Sequence, residues 1–538
     1  MAVTSTAAAS PSGNRSGLTS AVGTVIGLTL LSRVVGLVRD IIVNHIYGLS
    51  GPNDAYTAAF KLPDLLMYLI AGGALASTFV PVFSEYLKNK DEKGAWKTFS
   101  VVATVTFIVA TILVVLGEIF APWFIKWMNW GYHDGPRLNL AVHLTRIVLP
   151  AQIFFMVGSL FMGTLNARNR FLIPSLGPTI YNVGIIIGAF FHTGPSGLMW
   201  GALGGAFVGN FALQIYQVVQ VGMRYRPSLD ITFPGAMKIW KMMIPILLGV
   251  SLPNVDQIIS GSFSSALSIG SQAAITTATR LMLIPIGIFA QAMGIAFLPT
   301  MSQQAGNPKQ FRSTTARALR FVLFLTVPSS ALMFVLASPI IGLIYQNGHF
   351  TAHDTYRTAF ALRFYALGIF AWSAQAILTR GFYALQDSRT PVISGTIMTV
   401  IFIGMSWFSV HFHPVDWNIG GLAMATSIAA TMHMIVMYVF LRRRAHGLQG
   451  FKTLAMIIKL AIATGFLSGI TYGVELLLHA RWSHPHFFQF LMLVFVPATV
   501  GGIVFLGAAA ALRMEETKML GELVSRFTGR KAAKNGSH

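Results

Sequence analysis

Thr78-Phe79-Val80-Pro81-Val82-Phe83-Ser84-Glu85 returns 218 residues later as Ala296-Phe297-Leu298-Pro299-Thr300-Met301-Ser302-Gln303. A second echo lies 217 residues apart. Pro174 follows Leu165-Asn166-Ala167-Arg168-Asn169-Arg170, and Pro391 follows Phe382-Tyr383-Ala384-Leu385-Gln386-Asp387-Ser388-Arg389. Two matches at nearly one spacing indicate a duplicated unit of more than 200 residues. The material being duplicated is apolar: 54% of the 538 residues are hydrophobic and 10% charged. Stretches of about 20 apolar residues, enough to cross a hydrocarbon core of about 30 Å, recur along the chain.

The expected fold is an all-α polytopic membrane protein with 14 transmembrane helices. The spans are placed at 18–47, 55–86, 98–121, 138–165, 172–192, 197–223, 237–264, 270–302, 315–345, 355–385, 391–410, 419–441, 453–476 and 487–513. The repeat makes spans 1–6 and 7–12 two six-helix lobes. An even number of spans per lobe keeps both in one orientation, related by a pseudo-two-fold along the membrane normal. The organisation then reads as a disordered tail at 1–17, an N-lobe at 18–224, a cytoplasmic linker at 225–235 and a C-lobe at 236–444. Two further helices follow at 445–513, and a basic cytoplasmic tail at 514–538. Prolines such as Pro63, Pro150, Pro178, Pro285 and Pro328 fall within or beside spans, where each frees a carbonyl and permits a bend.

The net charge of +21 reads as a topology signal rather than a nucleic-acid footprint. Lys88, Lys90, Lys93 and Lys97, Arg168 and Arg170, Arg224 and Arg226, Arg312, Arg389, and Arg442-Arg443-Arg444 all fall in loops of one side. The opposite loops hold chiefly Lys126, Arg137, Arg357 and Arg481, with histidines such as His133, His192, His349, His413 and His484. Both termini are therefore expected in the cytoplasm. The chain has no cysteine, which excludes disulfides and thiolate chemistry. The histidines lack metal-site spacing, and no glycine cluster precedes Lys-Ser/Thr as a Walker loop requires. We expect no metal, no cofactor, no nucleic-acid partner and no enzymatic activity.

Leu30-Leu31-Ser32-Arg33-Val34-Val35-Gly36-Leu37-Val38-Arg39-Asp40 puts three ionisable residues inside the first span. Such residues are costly in hydrocarbon and mark a cavity, a mutual pair or a charged cargo. Arg33 and Asp40 share a helix stripe about 10 Å apart, with Arg39 turned about 120° from Arg33. Arginine keeps its charge and binds phosphate or carboxylate oxygens bidentately, so these two suit a diphosphate; an internal Arg–Asp lock is the plainer reading. Arg280 in span 8 faces the same choice between a cationic site and snorkelling to an interface. Asp54 opens span 2 as a gate partner or a helix cap. Lys61 and Asp64 stand on one face of span 2, where they can pair. Asp256 in span 7 is an acid to be met by an arginine or a cation.

The chain resembles the MurJ/MviN family of lipid II flippases, within the multidrug/oligosaccharidyl-lipid/polysaccharide exporter superfamily. The residues carrying the likeness include Ser32-Arg33-Val34-Val35-Gly36-Leu37-Val38-Arg39-Asp40, Asp54-Ala55-Tyr56, Ala59-Phe60-Lys61-Leu62-Pro63, and Phe79-Val80-Pro81. Leu165-Asn166-Ala167-Arg168-Asn169-Arg170-Phe171, Arg280-Leu281 with Pro285-Ile286-Gly287, Gly348-His349-Phe350-Thr351 and Thr390-Pro391-Val392 extend it. The resemblance implies a bacterial inner-membrane flippase for the undecaprenyl-diphosphate-linked glycopeptide lipid II. It would work by alternating access through a cationic cavity. It implies diphosphate contacts from Arg33, Arg39 and Arg280, with Asp40 and Asp54 as functionally important acids; beside these, Ser32, Lys61 and Asp256 are candidates for a supporting or gating role. It also implies a lipid-tail groove on spans 13 and 14. Membrane lipids and the cell-wall synthesis machinery are the other expected partners. Family members usually carry an Arg-Arg pair and Ala-Glu-Gly in span 2, where this chain has Met67-Tyr68 and Ala71-Gly72-Gly73. With Ser260 at the span 7 position and no acid in span 11, no sodium site is expected. The competing functions are export of another lipid-linked oligosaccharide or amphipathic drug, and a non-transporting scaffold for cell-wall synthesis.

Overall fold

A computed structural model describes residues 15–67, 74–191, 193–412, 417–482 and 485–527. Residues 1–14 of the expected tail, Tyr68, Ala71, Gly72 and Gly73 of span 2, His192, His413 and His484, and residues 528–538 of the basic tail lie outside the described residues.

The described residues form helices and no strands. In chain order these are α1 (Arg15–Tyr47), α2 (Gly51–Ala59), α3 (Lys61–Leu66), α4 (Ala74–Lys88), α5 (Glu92–Met128), α6 (Pro136–Val148), α7 (Ala151–Ala167), α8 (Leu172–Ala189), α9 (Pro195–Ala206), α10 (Leu213–Gln220) and α11 (Pro234–Ser265). The second half holds α12 (Ser271–Pro285), α13 (Ala292–Gln303), α14 (Pro308–Val335), α15 (Ala337–Tyr345), α16 (Ala352–Ala366), α17 (Ile369–Ala384), α18 (Arg389–Phe412), α19 (Asn418–Arg444), α20 (Gly450–His479), α21 (Phe487–Ala511) and α22 (Glu516–Phe527). Among the described residues ten spans are long and apolar enough to cross a membrane, or eleven with α16 and α17 taken as one span bent by 42°. The protein is thus a multi-pass membrane protein. The three placed spans outside that number are 18–47, 55–86 and 237–264, which hold Arg33, Arg39, Asp40, Lys61 and Asp256, with Asp54 just ahead of the second. Length and hydropathy within the described residues do not establish a total of fourteen.

Two of the prolines named from the sequence, Pro150 and Pro285, stand at breaks in their spans, whereas Pro178 and Pro328 lie within continuous helices. The fourth divides at Pro150 into α6 and α7. The eighth has a π-helical turn, Ile286–Gln291, directly after Pro285. Span 2 is not one helix: α2 ends at Ala59 and α3 is a six-residue piece.

The chain separates into two compact units. Unit 1 comprises 1–43, 58–127 and 134–254; unit 2 comprises 44–57, 128–133 and 255–538. In unit 1, an aromatic core gathers Phe79 and Phe83 of α4, Trp96 and Phe99 of α5, and Phe161 of α7. Glycines bring α8 and α9 into backbone contact: a Cβ on Gly184 or Gly188 would strike the carbonyls of Gly201 and Gly197. Small residues at such a crossing are how membrane helices gain packing without a hydrophobic drive. The linker lies along α5: Arg226 N donates to Ser100 Oγ at 3.1 Å, and Lys97 pairs with Asp230 at 3.0 Å.

In unit 2, α14 packs on α17 and α20, and α17 and α18 each pack on α19. The final helix is fastened by a buried ion pair, Arg320 Nε to Glu516 at 3.1 Å, with Arg320 Nη1 donating to Gln449 at 3.0 Å.

The repeat is visible in backbone detail. Asn169 and Gln386 both take a left-handed conformation, φ 59° and 57°. Around them Arg170 N donates to Leu165 O at 2.8 Å, and Asp387 N donates to Phe382 O at 2.9 Å. The same C-terminal cap therefore closes α7 and α17 at one repeat position, and each is followed by a helix whose third residue is proline.

Candidate functional site

In unit 1 the charged stretch of α1 divides its labour. Arg39 donates from Nε and Nη2 to Asp40 Oδ1 at 3.0 and 2.8 Å, and from Nη1 to Asn182 Oδ1 of α8 at 2.8 Å. Asp40 is 5% exposed. Neighbouring positions on a helix point apart, so this pair forms because the long guanidinium folds back towards its own helix. Asn182 holds it there, and its amide in turn donates to Pro178 O at 3.0 Å. Gly36 faces Asn182, where an added Cβ would sit 3.6 Å from Nδ2, an ordinary contact. At least three of the five guanidinium donors of Arg39 are used inside unit 1.

Arg33 is placed differently. It is exposed and lines a cavity of about 390 Å³ with Thr29 and Ser32 of α1, Asn166 of α7, and Ser175 and Pro178 of α8. Among the described residues no hydrogen bond or ion pair engages its guanidinium. The cavity thus joins one available cation to hydroxyl and amide groups, a set that suits an anionic oxygen-rich group. Lys61, at the start of α3, is buried, whereas Asp64 is exposed. Met67 is 38% exposed.

In unit 2, Asp54 of α2 is 2% exposed and caps a helix other than its own. Its carboxylate accepts Gly270 N at 2.7 Å and Ala273 N at 3.0 Å, satisfying two orphan amides at the start of α12. Gly270 has φ +85°, so the turn itself calls for glycine. Arg357 of α16 fixes the same turn, donating to Ile269 O at 3.0 Å, Ser268 Oγ at 2.8 Å and Ser271 Oγ at 2.9 Å. Arg280 is half-buried farther along α12. Asp256 of α11 accepts a hydrogen bond from Thr399 of α18 at 2.7 Å.

Asp256 and Thr399 stand 217 residues after Arg39 and Asn182. The polar tie of α1 to α8 is therefore repeated as a tie of α11 to α18, with the ionisable partner changed from base to acid. Sequence reading missed Asn182 as a partner, although a polar side chain in Ile180-Tyr181-Asn182-Val183 is itself a signal. It also left Arg357 as a plain loop cation.

The sequence family described as "Lipid II flippase MurJ" matches residues 43–496. The Vibrio cholerae protein named "Probable lipid II flippase MurJ" is 31% identical over 470 residues, covering 83% of this chain and 87% of that relative. The "Lipid II flippase MurJ" of Burkholderia cenocepacia is 30% identical over 434 residues, covering 78% and 83%. A solved structure, "Lipid II flippase MurJ, inward closed conformation", matches with TM-score 0.74 and 25% identity over 94% of this chain and 99% of that one. An inward-facing MATE-family multidrug transporter shares the fold at TM-score 0.65 and 16% identity, over 79% and 98%. The family match covers most of the chain and includes Asp54, Asn182, Asp256, Arg280 and Thr399; the chain belongs to the MurJ family of lipid II flippases.

Proposed function

We propose that this chain moves lipid II from the inner to the outer leaflet of the bacterial inner membrane by alternating access, with Arg33 as its principal diphosphate contact. The observation that carries this reading is the guanidinium of Arg33, which no hydrogen bond or ion pair engages among the described residues, in a cavity of about 390 Å³ within unit 1. An arginine held among apolar helices with no protein partner keeps its charge and binds two phosphate oxygens at once. The sugar–peptide head is shielded by protein while the polyprenyl tail stays in lipid. Ser32 and Asn166 add neutral hydrogen bonds at the same wall. Arg39 acts in support, since Asp40 and Asn182 already occupy most of its donors. Arg280, Lys61 and Asp256 are proposed as further polar contacts or gating groups. Asp54 acts through the position of α12. The charge asymmetry of the loops favours cytoplasmic termini, and a role beside cell-wall synthases is the corresponding proposal for partners.

Depleting the protein in cells with no second flippase should abolish lipid II exposure on the outer leaflet. Normal exposure after depletion would overturn the reading. Arg33→Ala at unchanged protein level should lower transport about 10- to 100-fold, the loss of a hydrogen bond to a charged group. Full activity would remove Arg33 from the site.

A further inference from the structure

A second cavity, of about 520 Å³, lies in unit 2 on α18 and α19 and shares no lining residue with the cavity of Arg33. Its walls are Ile393, Ile397 and Met398 of α18 and Phe440 of α19, and its end is formed by Arg443 and Arg444. Ile393 and Ile397 are more than half exposed, so the groove opens to the surroundings of the helices. For two membrane-spanning helices those surroundings are acyl chains.

The two arginines have different tasks. Arg444 pairs with Asp387 at 2.7 Å, and Asp387 also accepts Arg389 N and Thr390 N at 3.1 Å, capping α18. Arg443 is exposed, and among the described residues nothing pairs with it. It occupies the last turn of α19, an apolar helix of 27 residues, and so stands at the height where the hydrocarbon ends. An apolar slot closed at that height by an unpaired arginine matches a lipid with a phosphate head and no compensating cation.

We propose that this groove binds an anionic phospholipid of phosphatidylglycerol type, with an acyl chain along Ile393, Ile397 and Phe440 and the phosphate on Arg443. The proposal rests on residues other than those lining the cavity of Arg33 and does not depend on what that cavity moves. Occupied, it fills the space between α18 and α19, the helix pair that follows the repeated turn at Gln386.

The test is native mass spectrometry of the full chain, extracted from membranes of equal phosphatidylglycerol and phosphatidylcholine content. Wild type should retain phosphatidylglycerol in preference to phosphatidylcholine. Arg443→Gln leaves the Arg444–Asp387 pair intact and should reduce that preference about fivefold, the effect of one basic residue near a lipid surface. Ile397→Trp, which fills the groove from a lipid-facing position, should reduce retention of bound lipid while Arg443 remains. Equal retention of the two lipids by wild type would overturn the proposal, as would an unchanged preference in Arg443→Gln. Ejection of the bound lipid by added undecaprenyl diphosphate would assign the groove to the transported class instead, and so overturn it too.

Discussion

Arg33 and Arg39 are six residues apart on one helix and the sequence gives them equal standing, yet only Arg33 is left available. Helical spacing determines the direction of each Cβ, but it does not determine which way a long guanidinium turns. That choice depends on Asn182, 143 residues away, which no local pattern joins to Arg39. Asp54 shows the same limit: its place at the start of a span suggested a cap, and the helix it caps is α12 rather than α2. Asp54→Ala strips two buried amides of their acceptor and should cost about 1–2 kcal/mol, in the range of strong N-caps. Asp54→Asn keeps one acceptor oxygen for two amides that use different oxygens, so it should recover only part of that loss. Thermal unfolding of the two variants in detergent checks it; equal losses would show that the charge, not the cap, is what stabilises.

At the scale of elements, apolar length within the described residues recovers most of the spans placed from the sequence. Spans 3 to 6 and 8 to 14 emerge from apolar length, allowing for the bend in the tenth. Span 2 is broken between Ala59 and Lys61. The cap ahead of α18 gives a pH test in a turn outside the spans. Burial of Asp387 by itself raises its pKa. Hydrogen bonds from the Thr390 hydroxyl and amide, the charge of Arg444 and the Arg389 amide outweigh that and hold the carboxyl below its usual value. A depressed folded pKa means stability that is complete above the unfolded value, about 3.9, and lost as the pH falls through the folded one. Asp387→Asn should therefore melt below wild type at neutral pH, with the gap closing only below about pH 4. A gap that stays constant into acid would show that the carboxylate charge contributes nothing.

For the whole molecule, two proline-bearing echoes were enough to reveal a duplication that the turns at Asn169 and Gln386 repeat in backbone conformation and hydrogen bonding. What the echoes could not reveal is that the polar tie between the first and fifth helices of each repeat has survived with its charge reversed. Arg39-Asp40 and Asp256-Gln257 share no residue in register, so sequence comparison passes over them. Their partners, Asn182 and Thr399, keep the hydrogen bond while differing in type. A duplicated element retained through such change points to a common mechanical task, holding α1 to α8 and α11 to α18. Hydrogen bonds between membrane helices contribute about 0.6 kcal/mol on average and up to about 1.7. Asn182→Ala and Thr399→Ala should each fall towards the upper end, because each leaves an ionisable group short of a partner. The ties belong to different units and share no residue, so the double variant should lose the sum of the single losses to within about 0.5 kcal/mol. Reversible unfolding of the four proteins measures this directly. A coupling above about 1 kcal/mol would mean that the two ties form one network, and that the units do not hold their polar helices independently.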